Sequence, residues 1–133
     1  MCVQANFSQQ HLFYLPFMNN ILIIHSYLKS WYYNYKAASM ALYGDDRLYT
    51  NPDQVASVDS VAWATAFWYW KANVRTDPNV QNGWFGSSTN RINGALECAG
   101  AYQFKAKQRF VKYGIVLKAF NINETPIENG CYN

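Results

Sequence analysis

Three polar side chains in one short stretch are spaced for a shared role. In "STNRINGALEC" (88–98), Asn90, Asn93 and Glu97 follow one another at i, i+3 and i+7. A helix places that spacing on one face. The two amides and the carboxylate offer donors and acceptors to a polar ligand or, equally, to the local backbone. We therefore predict a polar helix face here, with Ser88 or Thr89 as the capping residue.

The composition limits the classes of function. The chain has 133 residues, of which 50% are hydrophobic, 18% aromatic and 14% charged, and its formal net charge is +3. This predicts one folded domain rather than a disordered segment. A nucleic-acid partner is not indicated, because the densest basic run, Lys105 to Lys112, is typical of a solvated helix face. Many aromatic residues with few charges favour carbohydrate as a ligand, though weakly.

The histidines and cysteines do not indicate a metal or another cofactor. His11 and His25 lie in a stretch without clear periodicity and form no ligand set. Cys98 and Cys131 are 33 residues apart and could close one loop, which leaves Cys2 over. Three free thiols in a reducing compartment is the alternative. The triplets Asn-Phe-Ser at 6–8 and Asn-Glu-Thr at 123–125 fit the glycosylation pattern, which also arises by chance.

The N-terminal segment gives no clear targeting signal. Its apolar run, "HLFYLPFMNNILIIHSYL", is interrupted by Pro16, Asn19 and Asn20, and no basic residue precedes it. It lacks a small-residue cleavage site, so it is a poor signal peptide, and it is too short and too interrupted for a membrane span. We predict no membrane association.

The rest of the chain has helical periodicity and no strand alternation, so we predict an all-α fold. A first helix ends at Gly44, and a second begins with Asn51 as the cap and Pro52 in the first turn. Two further segments have apolar residues at helical spacing and are predicted to be amphipathic helices. The earlier is predicted to bury Ala62, Trp63, Ala66, Phe67 and Trp70, and the later, over 102–120, to bury Ala106, Phe110, Tyr113, Leu117 and Phe120. The aromatic cluster Trp63, Phe67, Trp68 and Trp70 could be a sugar platform, but core packing is favoured.

Five motifs in order resemble the C-terminal half of family 19 chitinases. They are "SWYYNY", "NPDQVA", "ATAFWYW", "NRINGALEC" and "GCYN", and together they cover residues 30–133. The resemblance implies one lobe of a lysozyme-like, two-lobed chitinase domain. It divides the chain into an unmatched leader, 1–29, and a partial catalytic domain, 30–133.

The resemblance also implies roles for individual residues. Ser30 corresponds to the serine that holds the attacking water, and Tyr33, Asn34 and Asn93 to residues that contact the sugar. Glu97 and Arg109 correspond to a carboxylate and an arginine that together orient the catalytic base, since an arginine fork can hold two carboxylates. Without the resemblance, an ordinary helix–helix ion pair would be the better interpretation of these two residues. We predict that Cys98 pairs with Cys131.

Some positions depart from the family pattern. Tyr32 replaces the first asparagine of the opening motif, Leu28 a substrate-binding glutamine, and Ala64 a common lysine. Inverting hydrolysis needs an acid and a base carboxylate about 6.5–9.5 Å apart. The family takes both from its N-terminal half, and the eight acidic residues here match neither motif.

The sequence therefore predicts a chitinase-family chain, by ancestry an inverting endo-hydrolase of chitin, that is a truncated fragment unable to catalyse the reaction. The alternative is a protein that binds chitin oligomers without cutting them. We expect N-acetylglucosamine oligomers as the ligand, no cofactor or metal, a monomer, and an extracellular location by family.

Overall fold

A computed structural model of the chain describes residues 32–133. Its helices are α1 (Tyr32–Tyr43), α2 (Arg47–Thr50), α3 (Gln54–Ser57), α4 (Asp59–Tyr69), a π-helical segment (Trp70–Val74), α5 (Pro78–Gln81), α6 (Phe85–Glu97) and α7 (Gln103–Ala119). Within 32–133 the β pairing is limited to an isolated parallel bridge between Trp84 and Ile127. The all-α prediction is confirmed.

Two apolar clusters hold these helices together. The larger joins α1 to α6 through the short helices between them, and consists of Ala38, Leu48, Val55, Ala66, Tyr69, Trp70, Val74, Val80 and Ile92. The smaller lies between α6 and α7 and consists of Phe85, Tyr113 and Leu117, with Phe110, Val116 and Ile122 packed against them. In it, the rings of Phe85 and Tyr113 stack with centroids 4.6 Å apart. Both clusters use α6, so this helix is fixed from two sides.

Helix α1 ends where the sequence predicts. Gly44 has φ +74°, and its N–H donates to the Met40 carbonyl at 3.1 Å. A left-handed residue of this kind is the usual end of a helix, and glycine adopts it without a steric penalty. The start predicted at Asn51 is wrong. Asn51 ends α2, and α3 begins only at Gln54.

The predicted apolar stripe of α4 is only partly buried. Ala66 and Trp70 lie in the core, but Trp63 is 43% exposed and Phe67 41% exposed. The side of the helix that packs inward is centred on Thr65 and Tyr69 instead, and the core interpretation of Trp63 and Phe67 is wrong. After Tyr69 the helix widens into the π-helical segment, where Arg75 N–H donates to the Trp70 carbonyl at 2.8 Å. This extra residue in the turn keeps Trp70 and Val74 on the buried side.

Helix α7 agrees with its predicted range to within one residue at each end. Ala106, Tyr113 and Leu117 are buried and Phe110 is partly buried. The exception is Phe120, which is 61% exposed. The helix ends at Ala119, and Asn121 has φ +55°, which turns the chain away before Phe120 can complete the buried side.

Candidate functional site

A buried group of polar side chains lies between α6 and α7. We call it the Glu97 cluster, and it consists of Asn93, Glu97 and Arg109. The Arg109 Nη2 atom donates to Glu97 Oε1 at 2.9 Å, and Arg109 Nη1 pairs with Glu97 Oε2. Asn93 Nδ2 donates to Glu97 Oε1 at 2.8 Å. Three of the residues selected from the sequence are therefore brought together.

Burial makes this cluster different from a surface ion pair. Glu97 is only 3% exposed. Desolvation lowers the pKa of Arg109 from its ordinary 12.5 to about 10, so the guanidinium stays charged at neutral pH. A buried carboxylate is tolerated because both of its oxygens are paired. The cluster therefore holds a fixed charge pair at a fixed place between two helices.

Asn93 is the part of the cluster whose hydrogen bonding is incomplete. Its backbone departs from helical geometry, with φ −148° and ψ 38°, so α6 is kinked at this residue. Its Nδ2 atom is held by Glu97, and its Oδ1 atom is buried and accepts no hydrogen bond from the described residues. A buried amide oxygen without a donor is costly, and a bound N–H or O–H group would satisfy it.

Asn90 does not take part in the hydrogen bonds of Asn93 and Glu97. Its Nδ2 atom donates to the Gly130 carbonyl at 3.1 Å, so it holds the C-terminal tail rather than the cluster. The kink at Asn93 interrupts the regular spacing on which the single-face prediction depends. Asn93 and Glu97 are therefore bonded to each other, whereas Asn90 bonds to the tail.

The start of α6 is capped by the tail and not by a side chain. The N–H of Phe85 donates to the Ile127 carbonyl at 2.8 Å, and the N–H of Ser87 donates to the Asn129 carbonyl at 3.2 Å. These bonds satisfy N–H groups that the first turn of a helix leaves unpaired. The predicted caps Ser88 and Thr89 are wrong, because both lie inside the helix and are buried.

Two glycines allow the tail to lie this close. A methyl group on Gly86 would overlap the carbonyl oxygens of Glu128 and Asn129, and one on Gly130 would overlap the Ser87 hydroxyl. Gly130 also has φ +98°, which side chains disfavour. We call residues 127–131, together with these bonds to α6, the tail strap. Sequence reasoning missed it, and these glycines were the available signal.

The strap is fastened by the predicted disulfide. Cys98 and Cys131 are bonded, with Cα atoms 4.7 Å apart, so the pairing prediction is confirmed. Cys98 directly follows Glu97 at the end of α6. The tail thus contacts the first turn of α6 and is covalently joined just beyond its last turn.

The other selected residues lie at the start of α1. Tyr33 is 54% exposed, and Asn34 is buried, at 8% exposed. Ser30 lies outside the described residues, as do Leu28 and both histidines. Within 32–133, no three His, Cys, Asp or Glu side chains come together as metal ligands. No helix in that range is long and apolar enough to cross a membrane.

Comparison with known proteins finds plant chitinases. The chain is 43% identical over 84 residues to acidic endochitinase SP2 of Beta vulgaris, which is 63% of this chain and 27% of that protein. It is 37% identical over 94 residues to chitinase 6 of Oryza sativa subsp. japonica, 71% of this chain and 34% of that protein. Endochitinase EP3 of Arabidopsis thaliana is 43% identical over 72 residues.

These matches establish homology with plant chitinases over more than half of this chain. The chain spans about a quarter to a third of the length of these relatives. No family model matches it, and no solved structure matches it.

Proposed function

We propose that residues 30–133 form the C-terminal half of a family 19 chitinase domain, and that this chain binds N-acetylglucosamine oligomers without hydrolysing them. The observation that carries the proposal is the Glu97 cluster, in which a rigid charge pair holds Asn93 and leaves its buried amide oxygen without a donor. A ligand reaches this oxygen only when the residues that cover it move aside. The plant chitinase relatives support the choice of ligand.

The chemistry of the ligand fits the acceptor. An N-acetylated sugar carries an amide N–H, which can donate to Asn93 Oδ1, and its ring can lie against an exposed aromatic side chain such as Tyr33. Because Asn93 is held by Glu97 and Glu97 by Arg109, the acceptor is preorganised and loses little freedom on binding. In this proposal Arg109 and Glu97 are positioning residues, and Asn34 and Ser30 keep the sugar-contacting and water-holding roles that the family resemblance implies.

The proposed lack of hydrolysis rests on the acidic residues, because the resemblance takes both catalytic carboxylates from the family's N-terminal half and no acidic residue here matches those motifs. General acid–base steps each contribute about 10²–10⁴ in rate, and an inverting glycosidase needs two available carboxylates. Glu97 is neutralised by Arg109, and Asp45 by Arg47 at 2.7 Å. Asp77 accepts from the Asn79 N–H at 2.8 Å and lies 4.0 Å from Arg91. These three carboxylates are therefore engaged within the fold. The other five match neither catalytic motif of the family: Asp46, Asp53, Asp59, Glu124 and Glu128.

The location and assembly state belong to the same proposal. A disulfide between Cys98 and Cys131 fits an oxidising, extracellular environment. We expect the protein to act as a monomer, because the cluster and its strap are built within one chain.

A calorimetric or NMR titration of the full chain with a chitin oligomer tests the binding. We expect a Kd of roughly millimolar, about −4 kcal/mol, because one side of a cleft leaves the sugar partly in water. Asn93→Ala should abolish binding. Asn82→Ala is the matched control, since Asn82 is an exposed residue that ends α5, and it should bind normally. Equal binding by wild type and Asn93→Ala would remove Asn93 from the site.

A reducing-end assay on the same oligomer tests the second half of the proposal. We expect no turnover above that of buffer. Turnover above that of buffer would contradict it, and its loss in Asp45→Asn, a change at an exposed residue, would identify that carboxylate as catalytic.

A further inference from the structure

The segment between the end of α7 and the tail strap has no role in the proposed site. It contains Asn123-Glu124-Thr125, which fits the pattern Asn-x-Ser/Thr with a residue other than proline in the middle. Within 32–133 this is the one such triplet. We propose that Asn123 is a site of N-linked glycosylation.

The local backbone presents the triplet outward. Helix α7 ends at Ala119, Asn121 takes the left-handed conformation with φ +55°, and the following residues are neither helix nor strand. Asn123, Glu124 and Thr125 are all exposed. An acceptor asparagine must enter the transferase with its threonine reachable, and an irregular surface segment allows this whereas a helix does not.

The triplet is held between two anchors. On one side, Ile122 packs against the cluster of Phe85, Tyr113 and Leu117, and its N–H donates to the Leu117 carbonyl at 2.9 Å. On the other side, Ile127 pairs with Trp84 and caps α6. A glycan on Asn123 therefore displaces no packed side chain and breaks none of these bonds.

The disulfide supplies an independent argument. Asn123 and Cys131 are close in sequence, and Cys131 is bonded to Cys98. Disulfides form and persist in oxidising compartments such as the lumen of the endoplasmic reticulum, which is also where asparagine-linked glycans are added. The disulfide and a glycan on Asn123 are therefore compatible with passage through the same compartment.

Other asparagines, in α1, α6 and the tail strap, lack either the Asn-x-Ser/Thr triplet or an accessible side chain. Asn34 is buried and Asn93 is bonded to Glu97, and neither precedes Ser or Thr by two residues. Asn129 precedes Cys131 by two, but its carbonyl accepts from α6 and Cys131 is in the disulfide. Exposure and the triplet coincide at Asn123.

The reaction is a group transfer from a lipid-linked oligosaccharide diphosphate. The Nδ2 atom of Asn123 forms a bond to the anomeric carbon of the first sugar, and the bond from that carbon to the diphosphate oxygen breaks. The lipid diphosphate leaves with the electron pair, and the amide nitrogen loses one proton. The product is a neutral glycosylated amide beside Glu124.

Translation of the full chain with an added cleavable signal sequence, in the presence of endoplasmic reticulum microsomes, tests the proposal. We expect the protease-protected product to carry a glycan that peptide N-glycosidase removes, with conversion of Asn123 to aspartate in the mapped peptide. Asn123→Gln and Thr125→Ala should each lose this modification, and Thr125→Ser should keep it. Asn6→Gln should leave the peptide containing Asn123 modified, which separates the two triplets.

The disulfide serves as the internal control for compartment. Protected product in which Cys98 and Cys131 are bonded but the peptide containing Asn123 is unmodified would overturn the proposal. Retention of the modification on that peptide in Thr125→Ala would overturn it as well. None of these results depends on sugar binding at Asn93.

Discussion

Asp45 and Arg47 face solvent just after α1, whereas Glu97 and Arg109 meet between α6 and α7. Both are two-pronged arginine–carboxylate pairs. The side chains are 51% and 44% exposed for Arg47 and Asp45, but 16% and 4% exposed for Arg109 and Glu97. The first pair joins residues two apart, and the second joins residues twelve apart on different helices.

The two pairs contain the same chemical groups, so the difference in their roles comes from burial. Water replaces either partner of the exposed pair when the other is removed, so that pair only organises the start of α2 locally. Water cannot replace Arg109 beside the buried Glu97, so the fold itself must supply the partners of this carboxylate. The buried pair therefore makes the position of Asn93 depend on the packing of two helices.

The largest loss of stability is expected when the buried pair is broken. Glu97→Ala should lower the free energy of unfolding by about 3–5 kcal/mol, because it leaves the buried Arg109 charge unpaired. Urea denaturation of the full chain measures this. A double variant, Glu97→Leu with Arg109→Leu, should recover most of the loss, since no charge is then left buried. If Glu97→Ala lowers the free energy of unfolding no more than Asp45→Ala does, the proposed difference between the buried and the exposed pair is wrong.

The next effect concerns the covalent support of the buried pair. Cys131→Ser should lower the free energy of unfolding by about 3–4 kcal/mol, as the chain-entropy estimate gives for a loop of this size. A reductant should destabilise the wild type by a similar amount and leave Cys131→Ser unchanged. Non-reducing peptide mapping that links Cys2 to either of the other cysteines would contradict the pairing.

The contrast between buried and exposed groups extends to the tyrosines. Burial, and to a smaller extent the nearby charge of Glu124, raises the pKa of Tyr113 from its ordinary 10.0 to about 12. Above pH 10 the unfolded chain therefore releases a proton that the folded chain keeps, and stability falls as pH rises. From pH 9 to 11 the wild type should lose roughly 1.4 kcal/mol more than Tyr113→Phe.

The smallest effect is expected at the exposed pair. The hydrogen bonds from Arg47 lower the pKa of Asp45, but both groups are in solvent. Asp45→Ala should leave the denaturation midpoint unchanged at physiological salt, and any difference seen at low salt should vanish as salt is added. A loss that persists in high salt would show that this pair has a structural role like that of Glu97.

The sequence predicts the helices better than it predicts which of their residues are buried. The glycine that ends α1 and the range of α7 are determined by local signals, so they could be read directly. The exposure of Trp63 and Phe67 could not, because a wide apolar stripe does not say which part of it meets a neighbour. That choice depends on where α1 packs and on the π-helical segment after Tyr69.

The same distinction applies to the candidate site. Glu97, Arg109 and the disulfide were predicted because the motifs that carry them resemble a known family, and the structure brings the paired residues together. The tail strap was not predicted, because backbone carbonyls carry no sequence signature. The first turn of α6 was therefore assigned a side-chain cap that it does not need.

The carbonyls that cap α6 come from about forty residues later in the chain, and this bears on how the protein is made. Synthesis proceeds from the N-terminus at about 5–20 residues per second, and helices can form as they emerge. The first turn of α6 cannot acquire its partners until Ile127 and Asn129 have been added. Completion of this helix therefore waits for residues far along the chain, and a ribosome that stalls near residue 120 holds a chain whose α6 has an uncapped start.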